Sequence, residues 1–243
     1  MCQSMGVRGL LTFKNLKIMR EINLLKGYPE PSNPRIVGPK IRTIENRIAA
    51  AGRGKEFFDG KRDNGYGGYK YDGRWLPIAK NIISEYNLDN NSSILQVGCE
   101  KGFLLNDLKS LLPSARIAGT ESAAYPIETS METVRDSIVK SEIDSLPFDA
   151  QEFDLIIAIN IVYTKDLNGV LGCLREIERV KKKNSFITLG SYENSEEKQL
   201  FEWWTLLGTT ILHRQDWLTV MQHVGYSGDY KFTDSKSLKL ETH

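Results

Sequence analysis

The chain has 243 residues, 40% hydrophobic and 26% charged, with a formal net charge of +1. That length suits one large domain or a domain with an extension, and the apolar share supplies an ordinary core. The near-neutral charge speaks against a general nucleic-acid or acidic-membrane binder, and no apolar run is long enough to span a bilayer. The start, "MCQSMGVRGLLTFKNLKIMR", lacks a signal-peptide core and cleavage site. Cys2, Cys99 and Cys173 are isolated thiols, which fits a reducing cytoplasm rather than a disulfide framework. His213, His223 and His243 are too few and too scattered for a zinc site, so no metal is expected.

In chain order, Leu11, Phe13, Leu16, Ile18, Met19, Ile22, Leu24 and Leu25 are spaced as one helix face. "GYPEPSNPRIVGPK" reads as a linker. "IRTIENRIAAAGRGKEFFDG" reads as a helix closed at Gly52 or Gly54, "NGYGGYKYDGRW" as an ordered aromatic loop, and "LPIAKNIISEYNL" as a helix with Pro77 in its first turn. From Ser92 the pattern turns regular. Strands are expected at Ile94–Val97, "ARIAGTE", "FDLIIAINIVY", "SFITLGSY" and "SGDYKFT", with "SIVKSEI" a short strand or loop. Helices are expected at Phe103–Leu111, "YPIETSMETV", "LNGVLGCLREIERV", "EEKQLFEWWTLLGTTIL" and "RQDWLTVMQHVGY". Alternating strands and helices imply an α/β fold, a doubly wound and mostly parallel sheet covered on both faces. The expected division is a helical extension over residues 1–90 and the sheet domain over 91–243.

In such sheets, ligands bind beyond the carboxyl ends of the strands, where strand order reverses. Gly98 and Gly102 follow the first regular strand, and Glu121 ends the next, about twenty residues on. A carboxylate at that place can accept both hydroxyls of a ribose. The alternative is an ordinary strand–turn–helix with a surface acid.

Together, "ILQVGCEKGFLLNDL", "IAGTESAAYPIE", "DSLPFDAQEFDLIIAIN" and "REIERVKKKNSFITL" resemble the class I S-adenosylmethionine-dependent methyltransferases over residues 92 to about 190. The resemblance implies a seven-stranded Rossmann-like sheet and S-adenosylmethionine as cofactor. It implies that Gly98, Cys99 and Gly102 line the cofactor and that Glu121, with Ser122 beside it, binds the ribose. By the same resemblance Asp144 contacts the adenine amine, Ser145 and Leu146 flank the ring, and Asn160 faces the reacting centre. Two positions depart from the family pattern. Gln96 stands where an acid usually helps hold the methionyl ammonium, and Glu100 stands where a glycine is customary. Either the charge has moved from the strand end to the loop, or Glu100 points to solvent.

The aromatic block ahead of the sheet reads as a lid, with Tyr66, Tyr71 and Arg74 as candidates to meet cofactor or substrate and Trp75 as packing. Tyr163 stands where relatives often carry a histidine, and His213 is a further catalytic candidate whose alternative role is structural. "RVKKKN" reads as a solvated helix end. The leading expectation is a cytoplasmic biosynthetic methyltransferase with a small-molecule substrate and no nucleic-acid or membrane partner. Two others stay open. One is an enzyme that consumes the same cofactor by cyclisation to azetidine-2-carboxylate and methylthioadenosine, or by elimination. The other is a non-catalytic cofactor-binding protein.

Overall fold

The computed structural model describes residues 19–242. The expected helix up to Gly27 falls partly outside them. Its described part is not helical, because Glu21 bridges to Tyr230 and Ile22 N–H donates to the Tyr230 carbonyl at 2.9 Å. An open strand edge offers this segment hydrogen bonds that a lone short helix would lack. Within the linker, β1 (Arg35–Ile36) pairs in parallel with Leu240–Glu241. The next expected helix is two, α1 (Ile44–Ala51) and α2 (Lys55–Phe58), broken at Gly52–Gly54. Then α3 (Leu76–Tyr86) begins with Pro77 and stops at Asn87, which takes the left-handed conformation.

The sheet opens with β2 (Ser93–Val97), α4 (Phe103–Leu111) and β3 (Arg116–Glu121). The stretch expected as one helix after β3 is a single turn, α5 (Ala124–Glu128), followed by a 3-10 segment. β4 (Ile138–Lys140) and β5 (Phe153–Ala158) come next, and all six residues of β5 are buried. Covering both faces of a central parallel strand demands such a continuous apolar run. α6 (Leu167–Val180) has Asp166 as its N-cap, accepting from Gly169 N–H at 2.8 Å, and buries Val170, Cys173, Leu174 and Ile177 on one face. β6 (Lys181–Tyr192), α7 (Ser195–Trp204), β7 (Leu212–His213), α8 (Arg214–Val224), β8 (Asp229–Thr233) and β9 (Leu240–Glu241) complete the chain.

α7 is shorter than its sequence suggests. Residues 205–211 form a loop in which Thr209 and Thr210 N–H both donate to the Tyr163 carbonyl at 3.0 Å. Threonine and glycine favour that outcome over a continued helix.

The strands of the seven-stranded sheet run in the order β4-β3-β2-β5-β6, with β7 and β8 both on β6, and every pairing is parallel. Strand order reverses between β2 and β5, so the crevice lies where these two end, between Gly98 and Asn160.

The N-terminal segment is tied to this sheet by charge. Asp229, 1% exposed, accepts two hydrogen bonds from Arg20, at 2.9 and 2.7 Å, and one from Tyr86 at 3.0 Å. Arg20→Ala leaves that carboxylate with the phenol alone among these side chains and is expected to cost roughly 1–3 kcal/mol. Urea unfolding should show a lower midpoint at an unchanged slope. An unchanged midpoint would mean that Arg20 does not pin the segment.

Candidate cofactor site

After β2 the chain turns through Gly98 at φ +67°, Cys99, Glu100 at φ +53° and Lys101, and Gly102 at φ +72° caps α4. A Cβ on Gly98 would lie 2.5 Å from Cγ1 of Ile161, so only glycine lets the turn lie against the end of β5. Glu100 takes the left-handed conformation where a glycine was expected. For an ordinary side chain that costs on the order of 1–2 kcal/mol.

Glu121 ends β3 with 1% exposure. Its Oε1 accepts the N–H groups of Ser122 and Ala123 at 2.9 and 3.0 Å, and Nε of Arg53 at 3.4 Å. Its Oε2 accepts Glu100 N–H at 3.1 Å and a terminal nitrogen of Arg53 at 2.9 Å. A carboxylate has about four lone-pair sites. Five donors converge on this one, so it is saturated by the chain itself.

Arg53 belongs to the extension. It lies between α1 and α2 at φ +43°, with its guanidinium 5.8 Å from the ring centres of Phe57 and Phe58. Burial pushes this guanidinium down, but Glu121 and Glu100 outweigh burial and hold it above its ordinary value. Two further contacts clamp the same strap to the glycine turn. Tyr66 donates to Glu100 at 2.8 Å, and Asp59 accepts Lys101 at 2.6 Å and Tyr125 at 2.7 Å. Phe57, Phe58, Tyr66, Tyr69 and Tyr125 pack into one aromatic cluster, joined by Leu206 and Leu207 from the loop after α7. Burial raises the Glu100 carboxyl above its ordinary range despite Arg53 and Tyr66, which pull it down. Burial also pushes the phenols of Tyr66, Tyr69 and Tyr163 up.

Of the residues singled out in the sequence, Gln96, Gly98, Glu100, Gly102, Glu121 and Ser122 gather at the ends of β2 and β3. Gln96 is 6% exposed, and its Oε1 has no hydrogen-bond partner among the described residues. Cys99 belongs there by its backbone only, since its side chain packs inward and its sulfur would lie 2.7 Å from a Cβ on Gly119. Asp144 sits on the loop after β4, 3.8 Å from Lys165, with Ser145 exposed and Leu146 buried. Asn160 is exposed at the end of β5 at φ +55°, and its Oδ1 accepts Thr188 at 2.9 Å. Tyr163 is buried, with its ring 6.2 Å from that of Phe201.

Three candidates are not drawn in. Tyr71 donates to Asp107 on α4 at 2.5 Å, Arg74 pairs with Asp72, and His213 caps α8 by accepting Gln215 N–H at 3.2 Å. Each is committed locally, by a helix face, a neighbouring acid and a helix end. Glu100 is not directed to solvent. Its side chain is 18% exposed and lies under the strap. Sequence reasoning missed Arg53, Asp59 and Lys101. The one available signal was a lone arginine set between Gly52 and Gly54, just ahead of the aromatic block.

Residues 95–189 match the family described as "Methyltransferase domain". A malonyl-[acyl-carrier protein] O-methyltransferase of Legionella pneumophila is 29% identical over 104 residues, which are 40% of this chain and 36% of that protein. The matched stretch therefore spans about a third of the relative's length. Among solved structures, the YcgJ protein from Bacillus subtilis is similar with a TM-score of 0.50 at 14% identity, over 60% of this chain and 66% of that one. A chain in the complex between the Haloferax volcanii Trm112 methyltransferase activator and a candidate methyltransferase is similar with a TM-score of 0.52 at 18% identity, over 74% and 75%. These two likenesses show the fold. Residues 95–189 thus match a methyltransferase domain, set in a mostly parallel sheet of the Rossmann-like methyltransferase fold.

The raised Glu100 carboxyl has a consequence for stability. A carboxyl with a folded pKa above its unfolded one favours folding when protonated. That contribution is complete below the ordinary glutamate range and is lost as pH rises through the raised value. Wild type should therefore lose stability relative to Glu100→Gln as pH rises from 4 to 7.5, read as diverging urea midpoints. A constant difference between the two proteins would contradict the burial of this charge.

Proposed function

We propose that this chain is an S-adenosylmethionine-dependent methyltransferase acting on a small molecule, and that its N-terminal strap is a lid held shut by Arg53. The observation that carries this reading is the saturated carboxylate of Glu121. A ribose needs two acceptor positions there, and every one is taken. Removing Arg53 alone opens Oε2, which then keeps only the Glu100 N–H, while Oε1 keeps the Ser122 and Ala123 N–H groups.

The remaining donor set fits the cofactor. Gln96 offers a buried carbonyl oxygen without a partner, suited to an ammonium. Glu100 loses its ion pair once Arg53 leaves and keeps the Tyr66 hydrogen bond. Asp144 and Leu146 follow β4, whose end is tied to Glu121 by the Ser141 N–H bond to its carbonyl at 3.0 Å. S-adenosylmethionine supplies an electrophilic methyl group on a sulfonium. The protein's part is then to orient the acceptor and exclude water. Asn160 has its amide oxygen fixed by Thr188 and its amide nitrogen free among the described residues to orient a nucleophile. Tyr66 and Tyr163 are poor bases, since burial raises both phenols. The sequence relative, a malonyl-[acyl-carrier protein] O-methyltransferase, supports methyl transfer to an acceptor outside the cofactor.

Glu121→Ala should weaken S-adenosylmethionine binding about ten- to a hundredfold in calorimetry, the effect of losing roughly 1.5–3 kcal/mol of charge-assisted bonding. Unchanged affinity would remove Glu121 from the site. Turnover of the cofactor alone tests the chemistry. Methylthioadenosine formed without an acceptor would replace methyl transfer by cyclisation or elimination.

A further inference from the structure

We propose that Arg35, Arg42 and Arg62 form an anion site that holds a carboxylate or phosphate group of the methyl acceptor. This rests on the methyltransferase reading for the word acceptor, but not for the site itself.

Two of the guanidinium groups are drawn to one ring without a carboxylate partner, and the charge of the third, Arg62, weighs on both. Arg35 and Arg42 lie over the same ring, Trp204, at 5.9 and 5.6 Å from its centre. Arg42 also donates to the Trp204 carbonyl, and Arg62 donates to the carbonyls of Gly65 and Tyr66, both at 3.0 Å. Among the described residues, none of the three is ion-paired with a carboxylate. Residues 1–18 contain no aspartate or glutamate that could serve. Arg20, Arg53 and Arg74 of the extension are paired with Asp229, Glu121 and Asp72, while Arg47 donates to the Glu202 carbonyl at 2.7 Å. The cluster's charges weigh on one another. Burial first, then Arg62, Arg35 and Arg47, pushes the Arg42 guanidinium down to about 10, against the opposing charge of Asp63. Burial and Arg62 lower Arg35 as well. Guanidinium groups stacked on an indole, with donors to spare, match the planar fork of a carboxylate or the oxygens of a phosphate.

Position points to the acceptor. The Trp204 ring touches that of Phe201 at 5.5 Å, and Phe201 touches Tyr163 at the end of β5. Arg62 holds the backbone of Tyr66, whose hydroxyl reaches Glu100. The cluster thus borders the crevice on the β5 side, across from Glu121 at the end of β3. An acceptor held there by its charged end would extend its other end toward Asn160 and Tyr163.

Calorimetry at low ionic strength, with inorganic phosphate and with malonate as separate probes, tests this on the full chain. Saturable binding of at least one probe is expected, roughly tenfold or more weaker in both Arg42→Gln and Arg62→Gln. S-adenosylmethionine affinity should stay within about threefold of wild type in both variants, well under the effect of a lost charged contact. Phosphate alone would assign a phosphorylated acceptor, and malonate alone a carboxylate. No saturable binding of either probe overturns the site. So does equal affinity in Arg62→Gln, whose exposed side chain can change without loss of the fold. A parallel loss of cofactor affinity would give the arginines to the cofactor and overturn the acceptor assignment. Wild type that binds a probe but no S-adenosylmethionine would sink the methyltransferase reading and leave the anion site standing.

Discussion

A carboxylate taken out of water needs a donor for each of its lone pairs, and the crevice of this protein is organised by how Glu121 meets that need. Three donors are backbone N–H groups, set by the turn after β2 and the chain after β3. They come with the sheet and cannot leave. The remaining positions are filled by Arg53, a side chain from another part of the sequence. The extension is therefore fastened to the sheet at this carboxylate.

That arrangement explains two departures from easy backbone geometry. Arg53 and Glu100 are both non-glycine residues in the left-handed region, and they face one another across the contact, 3.9 Å apart. Such strain persists only where surrounding contacts over-determine it. Here the surroundings are the Tyr66 bond to Glu100, the Asp59–Lys101 pair and the aromatic cluster. Two of these three contacts fall on the glycine turn, and the third joins residues 57–69 to Tyr125 and to Leu206 and Leu207. Charge and packing meet at the same contact.

Much of the sheet was legible from residues alone. α4 and α6 have the bounds their apolar spacing predicts, and β2 and β3 differ by one residue at most. Their burial is dictated locally, by periodicity and by the glycine turn between them. α7 was over-extended because Leu206, Leu207 and Ile211 continue an apolar pattern. In the fold they serve a loop packed on the strap and on Tyr163. Residues 19–27, the described part of the expected first helix, misled for the same reason, since apolar residues beside a strand edge can mimic helical spacing. That Glu121 and the glycine turn would lie together was legible because they are close in sequence and end adjacent strands. Arg53 was not, because a contact across 68 residues leaves no periodic trace. Tyr71, Arg74 and His213 had suitable chemistry but were committed to nearer partners, which only coordinates reveal.

On the proposed reading, Arg53 and the cofactor's ribose compete for one carboxylate. Arg53→Met keeps the length and apolar contacts of the side chain and removes its donors. If Arg53 is the bolt of a closed lid, the binding-competent form becomes more populated and apparent affinity rises by that factor. Calorimetry should show S-adenosylmethionine binding Arg53→Met more tightly than wild type, by about tenfold or more if the lost bonds are worth 1.5–3 kcal/mol. Weaker binding, or none, would contradict the account and make Arg53 part of the bound site instead.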